Sequence, residues 1–311
     1  MESEQNEDLA EEIPESQPTT SDYVNDFDPI MYLNEYYGSP DGHNGDGSPL
    51  EFVLDALNRI RCEFLASLPM TLNERTLLDV GCGPTIHSVM SFSDVYDALY
   101  FSDINDKCRA EIFKWWKNQP NTFNWNSTFK FVAKLENRGH GSDLNGNDLM
   151  YPCSSTAESI AHRVRSCIHG VFPCDITNMQ NVVPDLPCPK VDCIVSSLCL
   201  EATSHSLTDY NKSLRALANL LKPKGHLILI GILGHDHYDL GDKRFHLLNL
   251  DEMDIRCALR YATLNVPMWF RQDSRTGATV MRDFGQFKLG DDEEEEPLED
   301  MFVLVAEKAG G

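Results

Sequence analysis

The stretch Leu77-Leu78-Asp79-Val80-Gly81-Cys82-Gly83-Pro84-Thr85 constrains this chain more than any other. An apolar run that holds an Asp and opens into a Gly-x-Gly turn is how a buried parallel strand meets a ligand at its carboxyl edge. Glycine is required there because a side chain would occupy the space that the ligand must enter. A second apolar run, Ala98-Leu99-Tyr100-Phe101-Ser102, ends in Asp103, 22 residues beyond Gly81. A carboxylate at that place can accept both hydroxyls of a ribose. Together the two features predict an α/β fold that binds a nucleoside.

The residues around the glycines select the nucleoside. A dinucleotide fingerprint wants a third glycine three residues after the second, where pyrophosphate sits on a helix N-terminus. That position is Ile86, behind Pro84 and Thr85, and the Gly-Lys-Ser/Thr ending of a phosphate-cradling loop is absent from the chain. S-adenosyl-L-methionine carries no phosphate and suits this short turn. It is therefore the expected cofactor, and methyl transfer the expected chemistry.

The formal charge of −23 is concentrated at two places. Residues 1 to 29 hold ten acids and no Lys or Arg, and residues 291 to 300 hold eight acids and no base; without these 18 of the 49 acids, 31 face 26 bases, a net of −5. The remaining body offers no basic stripe for a phosphate backbone, which points away from nucleic acid and anionic membrane as partners. The ten cysteines, none in Cys-x-x-Cys spacing, read as reduced thiols, and with no secretory leader the expected location is the cytoplasm. No apolar stretch approaches the length of a membrane span. A soluble monomer is expected.

Residues 1–28 read as an acidic disordered tail, rich in Glu, Ser, Gln and Pro, and 29–311 as one domain. Ser48-Pro49-Leu50-Glu51 opens a helix with Val53, Leu57, Ile60, Phe64 and Leu68 on one face. Strands are expected over Leu77–Val80, Leu99–Asp103, Val171 to Ile176, Val191–Leu200, His226–Leu233 and Phe302–Ala306, the last antiparallel beside the fifth. Helices fall between them: about Asn105 to Lys117; one capped at Ser155-Thr156-Ala157-Glu158, with Ile168 inward and Gly170 after its end; one carrying Leu207, Tyr210, Leu214, Leu217 and Leu221; and one near Asp251 to Ala262 presenting Met253, Cys257 and Tyr261. Residues 136 to 153 read as a surface insertion. Alternating strands and helices imply a mostly parallel sheet covered on both faces, Rossmann-like and seven-stranded as in class I methyltransferases.

Five segments carry a resemblance: Tyr32-Leu33-Asn34-Glu35-Tyr36-Tyr37, Asp79 to Ile86, Cys174-Asp175-Ile176, Leu198-Cys199-Leu200-Glu201 and Leu220-Leu221-Lys222-Pro223. In combination they resemble the nicotinamide / phenylethanolamine / thioether methyltransferase family, across roughly Tyr23 to Lys308. The resemblance implies that Tyr32, Tyr37, Gly81, Gly83, Thr85, Asp103, Asp175, Ile176 and Ser197 surround S-adenosyl-L-methionine. The acceptor, a small-molecule amine or pyridine, is expected to lie against Tyr36 and Tyr238. Two positions depart from the family: His87 stands where a tyrosine is usual, and Cys108 where an asparagine near the ribose is usual.

Methyl transfer from a sulfonium is an in-line displacement, so the acceptor needs a free lone pair in a site that excludes water. An aliphatic amine must first lose a proton, and Glu201, directly after the fourth strand, is the expected catalytic carboxylate. Nicotinamide-methylating members of the family place an Asp at the end of the fifth strand, where this chain has Gly231. Both acceptor types therefore stay open. His235-Asp236-His237 reads as a loop over the substrate, with Tyr238 as an aromatic wall; no second ligand cluster accompanies it, so no metal is expected. Ser196-Ser197-Leu198-Cys199 differs from the Asp/Asn-Pro-Pro-aromatic signature of nucleic-acid base methyltransferases. The alternative to an enzyme is a catalytically impaired partner that only binds the cofactor, suggested by His87 and Cys108.

Overall fold

The computed structural model describes residues 20–40, 48–67, 74–138, 155–178, 181–272, 279–281 and 300–310. Strands β1 (Thr76–Val80), β2 (Ala98–Asp103), β3 (Ile168–Pro173), β4 (Val191–Ser197), β5 (Leu221–Ile232), β8 (Leu264–Gln272), β9 (Thr279–Met281) and β10 (Met301–Lys308) form one sheet in the order β3-β2-β1-β4-β5-β10-β8-β9. β6 (His237–Leu240) and β7 (Lys243–His246) pair as a separate hairpin. β1 to β5 are mutually parallel, while β10 runs antiparallel to both β5 and β8. The mostly parallel sheet is thus the expected one, with the three-residue β9 added at an edge.

Both faces of the sheet are buried because its central strands are apolar at successive positions, and successive side chains point opposite ways. Leu77, Leu99, Phe101, Val195 and Ile228 enter one core, against α3 (Pro49–Arg59), α4 (Asp106–Trp116), α5 (Asn126–Asn137) and α6 (Ala157–Cys167). Leu78, Val80, Tyr100, Ile194 and Leu227 enter the other, against α8 (Leu207–Leu220) and α9 (Glu252–Tyr261). Ser48 caps α3 by accepting from Glu51 N at 3.1 Å. Asn105 caps α4 through Lys107 N at 3.0 Å.

Several sequence expectations shift. Helix α6 is capped by Thr156, whose partner is Ser159 rather than Glu158. It stops at Cys167, so Ile168 already belongs to β3, and Gly170 is a strand residue under the Phe172 ring, which a Cβ there would meet at 2.5 Å. β3 accordingly ends at Pro173, before Cys174. β5 starts at Leu221; residues between the pairs Val191↔Leu221 and Cys193↔His226 bulge out of the ladder. On α8 Leu207 is exposed, and Tyr210, Leu214 and Leu217 carry the packing. On α9 the buried stripe is Ile255, Ala258 and Leu259, with Cys257 and Tyr261 outward. Leu68 and most of the 136–153 insertion lie outside the described residues, as does the acidic run 291–296.

The boundary at residue 29 also moves. Residues 20–26 form α1, and Asp28 caps α2 (Pro29–Tyr36) by accepting from Ile30 N and Met31 N at 2.9 and 3.0 Å. Tyr23 and Phe27, four residues apart, fall on one side of the chain, and Phe27 is 3% exposed. Its ring lies 5.0 Å from Tyr32 and 5.9 Å from Phe245 of the β6–β7 hairpin. Counting acids over residues 1–28 overlooks these two aromatics. Phe27→Ala should lower unfolding free energy by about 3 kcal/mol, the low end for a buried aromatic; chemical denaturation that shows no change would place Phe27 outside the packed structure.

Candidate active site

β1 lies between β2 and β4, so the chain winds outward to β3 on one side and returns to β5 on the other. Loops leave such a reversal in opposite directions and open a crevice at the carboxyl ends of the strands. In this register Asp79 sits opposite Phe101 on β2 and Val195 on β4. The turn after β1 is tied to β2 by Gly81 N and Cys82 N, which donate to Ser102 O at 2.8 and 3.1 Å. The next residue after β4, Leu198, takes φ +51° and donates to Ile230 O at 2.9 Å. A non-glycine residue there is strained backbone of the kind that clusters at binding sites.

The two glycines of the turn do different things. Gly81 has φ +68°, and a Cβ on it would stand 2.0 Å from Cys199 Sγ, so its role is packing. Gly83 has φ +57°, and a Cβ on it would meet nothing within 4 Å. Its surroundings are open on the cleft side. Asp103, 3% exposed, accepts from Gly83 N at 2.8 Å through Oδ2 and from Asn105 N at 2.7 Å through Oδ1. Burial nonetheless pushes its carboxyl up to about 6.

The cleft over this turn has a volume of about 310 Å³. Gly81, Gly83, Thr85, Asp103, Asp175, Ile176 and Ser197 line one part of it, and Tyr32, Tyr37, Tyr36 and Tyr238 another, so the structure brings these sequence-predicted residues to a single site. Asp175 Oδ1 is held by Thr177, through N at 2.9 Å and Oγ1 at 2.6 Å. Thr85 donates to Cys82 O at 2.9 Å, and His87 Nδ1 lies 3.2 Å from Thr85 Oγ1. Burial holds His87 down to about 3, so its ring is neutral, 4.9 Å from the ring of Tyr37. Cys108 faces Tyr23, whose hydroxyl is 3.6 Å from its sulfur.

Glu201 is the exception. It is the second residue of the short helix α7 (Leu200–Thr203), but it is 2% exposed and does not line the cleft, whereas Ala202 and Thr203 do. Its Oε1 accepts from Ile232 N at 3.3 Å, its backbone oxygen accepts from Leu248 N at 2.8 Å, and burial pushes its carboxyl up to about 7. The Glu201 carboxyl lies beside Gly231. A Cβ at Gly231 would stand 2.6 Å from the Phe302 ring and 3.2 Å from Glu201 Oε1, so a larger residue there would displace both. The cleft is also lined by residues that strand and motif spacing did not single out: Tyr23, Phe27, His205, Phe245 and His246. The aromatic density before Tyr37 was the available signal for the first two; the histidines follow no motif. Tyr238 stacks on Phe245 at 5.2 Å and 17°, and the hydroxyl of Tyr36 donates to Asp239 O, which anchors the hairpin over the cleft. Among the described residues no group of three or more His, Cys, Asp or Glu could hold a metal ion.

Sheet order, switch-point cleft and Gly-x-Gly turn define a class I S-adenosylmethionine-dependent methyltransferase fold. The model of the NNMT/PNMT/TEMT family matches residues 15–287, and the chain belongs to that family of S-adenosylmethionine-dependent N-methyltransferases. It is 30% identical to nicotinamide N-methyltransferase of Homo sapiens, over 86% of this chain and 93% of the relative. It is also 30% identical to indolethylamine N-methyltransferase of Oryctolagus cuniculus, over 79% and 85%, and 28% identical to phenylethanolamine N-methyltransferase of Homo sapiens, over 75% and 76%. Among solved structures the [4+2]-cyclase SpnF superposes with TM-score 0.51 at 16% identity, covering 95% of this chain and 98% of that one, a likeness of fold alone.

The residues present fit the cofactor. Gly83 leaves open space where a side chain would intrude, and Asp103 offers buried acceptor oxygens beside it. Asp79, 1% exposed, accepts from Ser88 Oγ through Oδ2, while its buried Oδ1 has no partner among the described residues. Gly83→Ala should therefore fold, at a cost of about 1 to 2 kcal/mol for the left-handed backbone, but lose cofactor affinity in calorimetry. Gly81→Ala should be the more destabilised of the two. Equal stability with intact binding in both variants would remove the turn from the site.

Burial pushes the Asp79 carboxyl up to about 7. The folded state thus holds a proton that the unfolded chain releases near pH 4, so this group's contribution to stability is full below that pH and is lost as pH rises towards 7. Relative to Asp79→Asn, the wild type should lose stability between about pH 4 and 7 and run parallel above it. Denaturation midpoints that stay parallel across the whole range would contradict a buried, protonated Asp79.

Proposed function

We propose that the chain methylates the ring nitrogen of a small, uncharged, pyridine-type acceptor. One observation carries this reading: among the described residues lining the cleft, the only carboxylates are Asp103 and Asp175, both by the Gly-x-Gly turn, while the Glu201 carboxyl lies behind the wall. An ammonium acceptor would need a carboxylate to bind it and to take its proton. A pyridine-type nitrogen already presents a free lone pair. The human relative named for nicotinamide supports the same acceptor class.

S-adenosyl-L-methionine, when bound, supplies a methyl group activated for displacement by its sulfonium. In this reading Gly83 lets the backbone approach it, Asp103 accepts the ribose hydroxyls, and Tyr32, Tyr37, Thr85, Asp175, Ile176 and Ser197 surround the rest of the cofactor. Tyr36 and Tyr238 form the acceptor wall, and with Phe245 they exclude water and hold the acceptor ring in line with the methyl carbon. Glu201 acts as a positioning residue, tying the end of β5 and the segment after β7 to α7 through Ile232 and Leu248. The mildly acidic body and the absence of a basic stripe favour a small molecule over nucleic acid as partner. Among the described residues no helix is long and apolar enough to cross a membrane.

Amine methylation through Glu201 is the second reading, since a buried carboxyl titrating near 7 is suited to proton transfer. Glu201→Gln separates the two. On pyridine-type acceptors the variant should keep turnover within about threefold, because Gln mimics the protonated side chain. Turnover confined to aliphatic amines, with a loss of about 10²-fold or more in the Gln variant, would overturn the proposal in favour of the amine reading. Cofactor binding with no turnover on either class would indicate the impaired partner instead.

A further inference from the structure

One face of this acidic chain carries cations without acids. Lys130 and Lys134 on α5 and Arg138 at its C-terminal cap are spaced by four residues, so they stand in one row about 12 Å long. All three are exposed, and none forms an ion pair among the described residues, whereas Arg61, Lys114, Arg163, Lys222 and Arg244 each meet an acid. Two adjoining hollows run beside the row and share Lys130 and Lys134. Among the described residues their lining contains no Asp or Glu; Asn34, Asn124 and Asn137 contribute to it, as do the apolar Ile30, Phe131 and Ala157. Ile30, on α2, is 41% exposed.

A groove with cations, some apolar surface and no acid is complementary to an acidic segment that carries a few apolar side chains. The same chain contains one. Glu7-Asp8-Leu9-Ala10-Glu11-Glu12-Ile13-Pro14-Glu15 holds five acids and no base around Leu9 and Ile13, and residues 1–19 lie outside the described residues. Only α1 and a short link separate Thr20 from Ile30, a span of at most about 20 Å, and extended chain from Thr20 back to Ile13 reaches about 24 Å. We propose that residues 7–15 dock along α5 of their own chain, with their acids on Lys130, Lys134 and Arg138 and with Leu9 and Ile13 against Ile30. A row of two helical turns suits a peptide segment, not a phosphate backbone. Single exposed ion pairs are weak, so the contact depends on several acting together. Seated there, the segment covers the outer side of α2, the helix that brings Tyr32 to the cleft. Composition alone leaves the tail solvated; the unpaired cations give it a partner. The inference is independent of which acceptor is methylated.

Carbodiimide cross-linking of the full chain, which joins a carboxylate to a lysine in direct contact, tests this with tandem mass spectrometry as the readout. At low salt the acids of residues 7–15 should join Lys130 and Lys134 in preference to the exposed Lys117, Lys212 and Lys224. Raising salt from about 0.01 to about 1 M shortens the screening length from about 30 to about 3 Å and should remove these links. Arg138→Glu alone, which keeps both lysines, should lower their yield about twofold, the share of one exposed pair. Reversing the row (Lys130→Glu, Lys134→Glu and Arg138→Glu together) should speed cleavage after Glu11, Glu12 and Glu15 by a Glu-specific protease about tenfold, the three pairs combined. Adding Glu7→Lys, Glu11→Lys, Glu12→Lys and Glu15→Lys to the reversed row should restore cross-links, now from tail lysines to α5 glutamates. In mixtures with isotope-labelled chains the links should stay within one chain. Links spread evenly over exposed lysines, links from Lys130 and Lys134 to Asp143, Asp148 or residues 291–296, or links that join two chains would each overturn the proposal. So would a cleavage rate unmoved by the triple reversal.

Discussion

A reciprocal lock between Thr76 and Asp192 holds the starts of β1 and β4 in register. Thr76 donates to Asp192 Oδ2 through N at 2.9 Å and through Oγ1 at 2.8 Å; Asp192 N donates back to Thr76 Oγ1 at 3.1 Å, and Lys222 Nζ donates to Asp192 Oδ2 at 2.7 Å. At the other end Ser196 Oγ donates to Val80 O at 3.1 Å and Ser102 Oγ to Asp79 O at 3.0 Å. Such specific bonds matter in a parallel sheet buried on both faces, where a continuous apolar run gives weak guidance on register. With the strands fixed in this way, the turn after β1 opens between β2 and β4, and the cleft follows from the topology.

The cleft floor keeps polarity in a place that would otherwise be apolar core. Asp79, Asp103 and Glu201 are all buried, and desolvation raises each carboxyl. Such groups destabilise a ligand-free fold near neutral pH, yet they supply acceptors in a low-dielectric site where hydrogen bonds to a ligand are strong. Their placements differ. Asp103 reaches the cleft, Asp79 sits beneath the turn with one oxygen unpartnered, and Glu201 braces the wall from behind. Similar chemistry and burial therefore do not imply the same role.

Above the floor, aromatic residues from distant parts of the chain close the cleft. α1, α2 and the link between them contribute Tyr23, Phe27, Tyr32 and Tyr36, while the β6–β7 hairpin contributes Tyr238 and Phe245. Large rings exclude water over a wide area while losing few rotamers, which suits a displacement that depends on placement more than on acid–base help. The Lys243 ammonium, 3.0 Å from Asp26 Oδ1, ties the hairpin to α1 from outside.

The local sequence determined the strand-and-turn units, the two glycines, both acids at the ends of β1 and β2, and the parallel alternation, because each depends on neighbouring residues and on periods of two or 3.6. It also carried enough shared motif to indicate the family. It could not decide which way Glu201 points, because its carboxyl enters the space left by Gly231 beside Phe302, on strands distant in the chain. Nor could it bring His205 onto His246, 41 residues later in the chain, or fold Tyr23 and Phe27 over a hairpin more than 200 residues away. Those contacts exist only once the sheet is assembled, since their energy comes from surfaces that separate elements bury against one another.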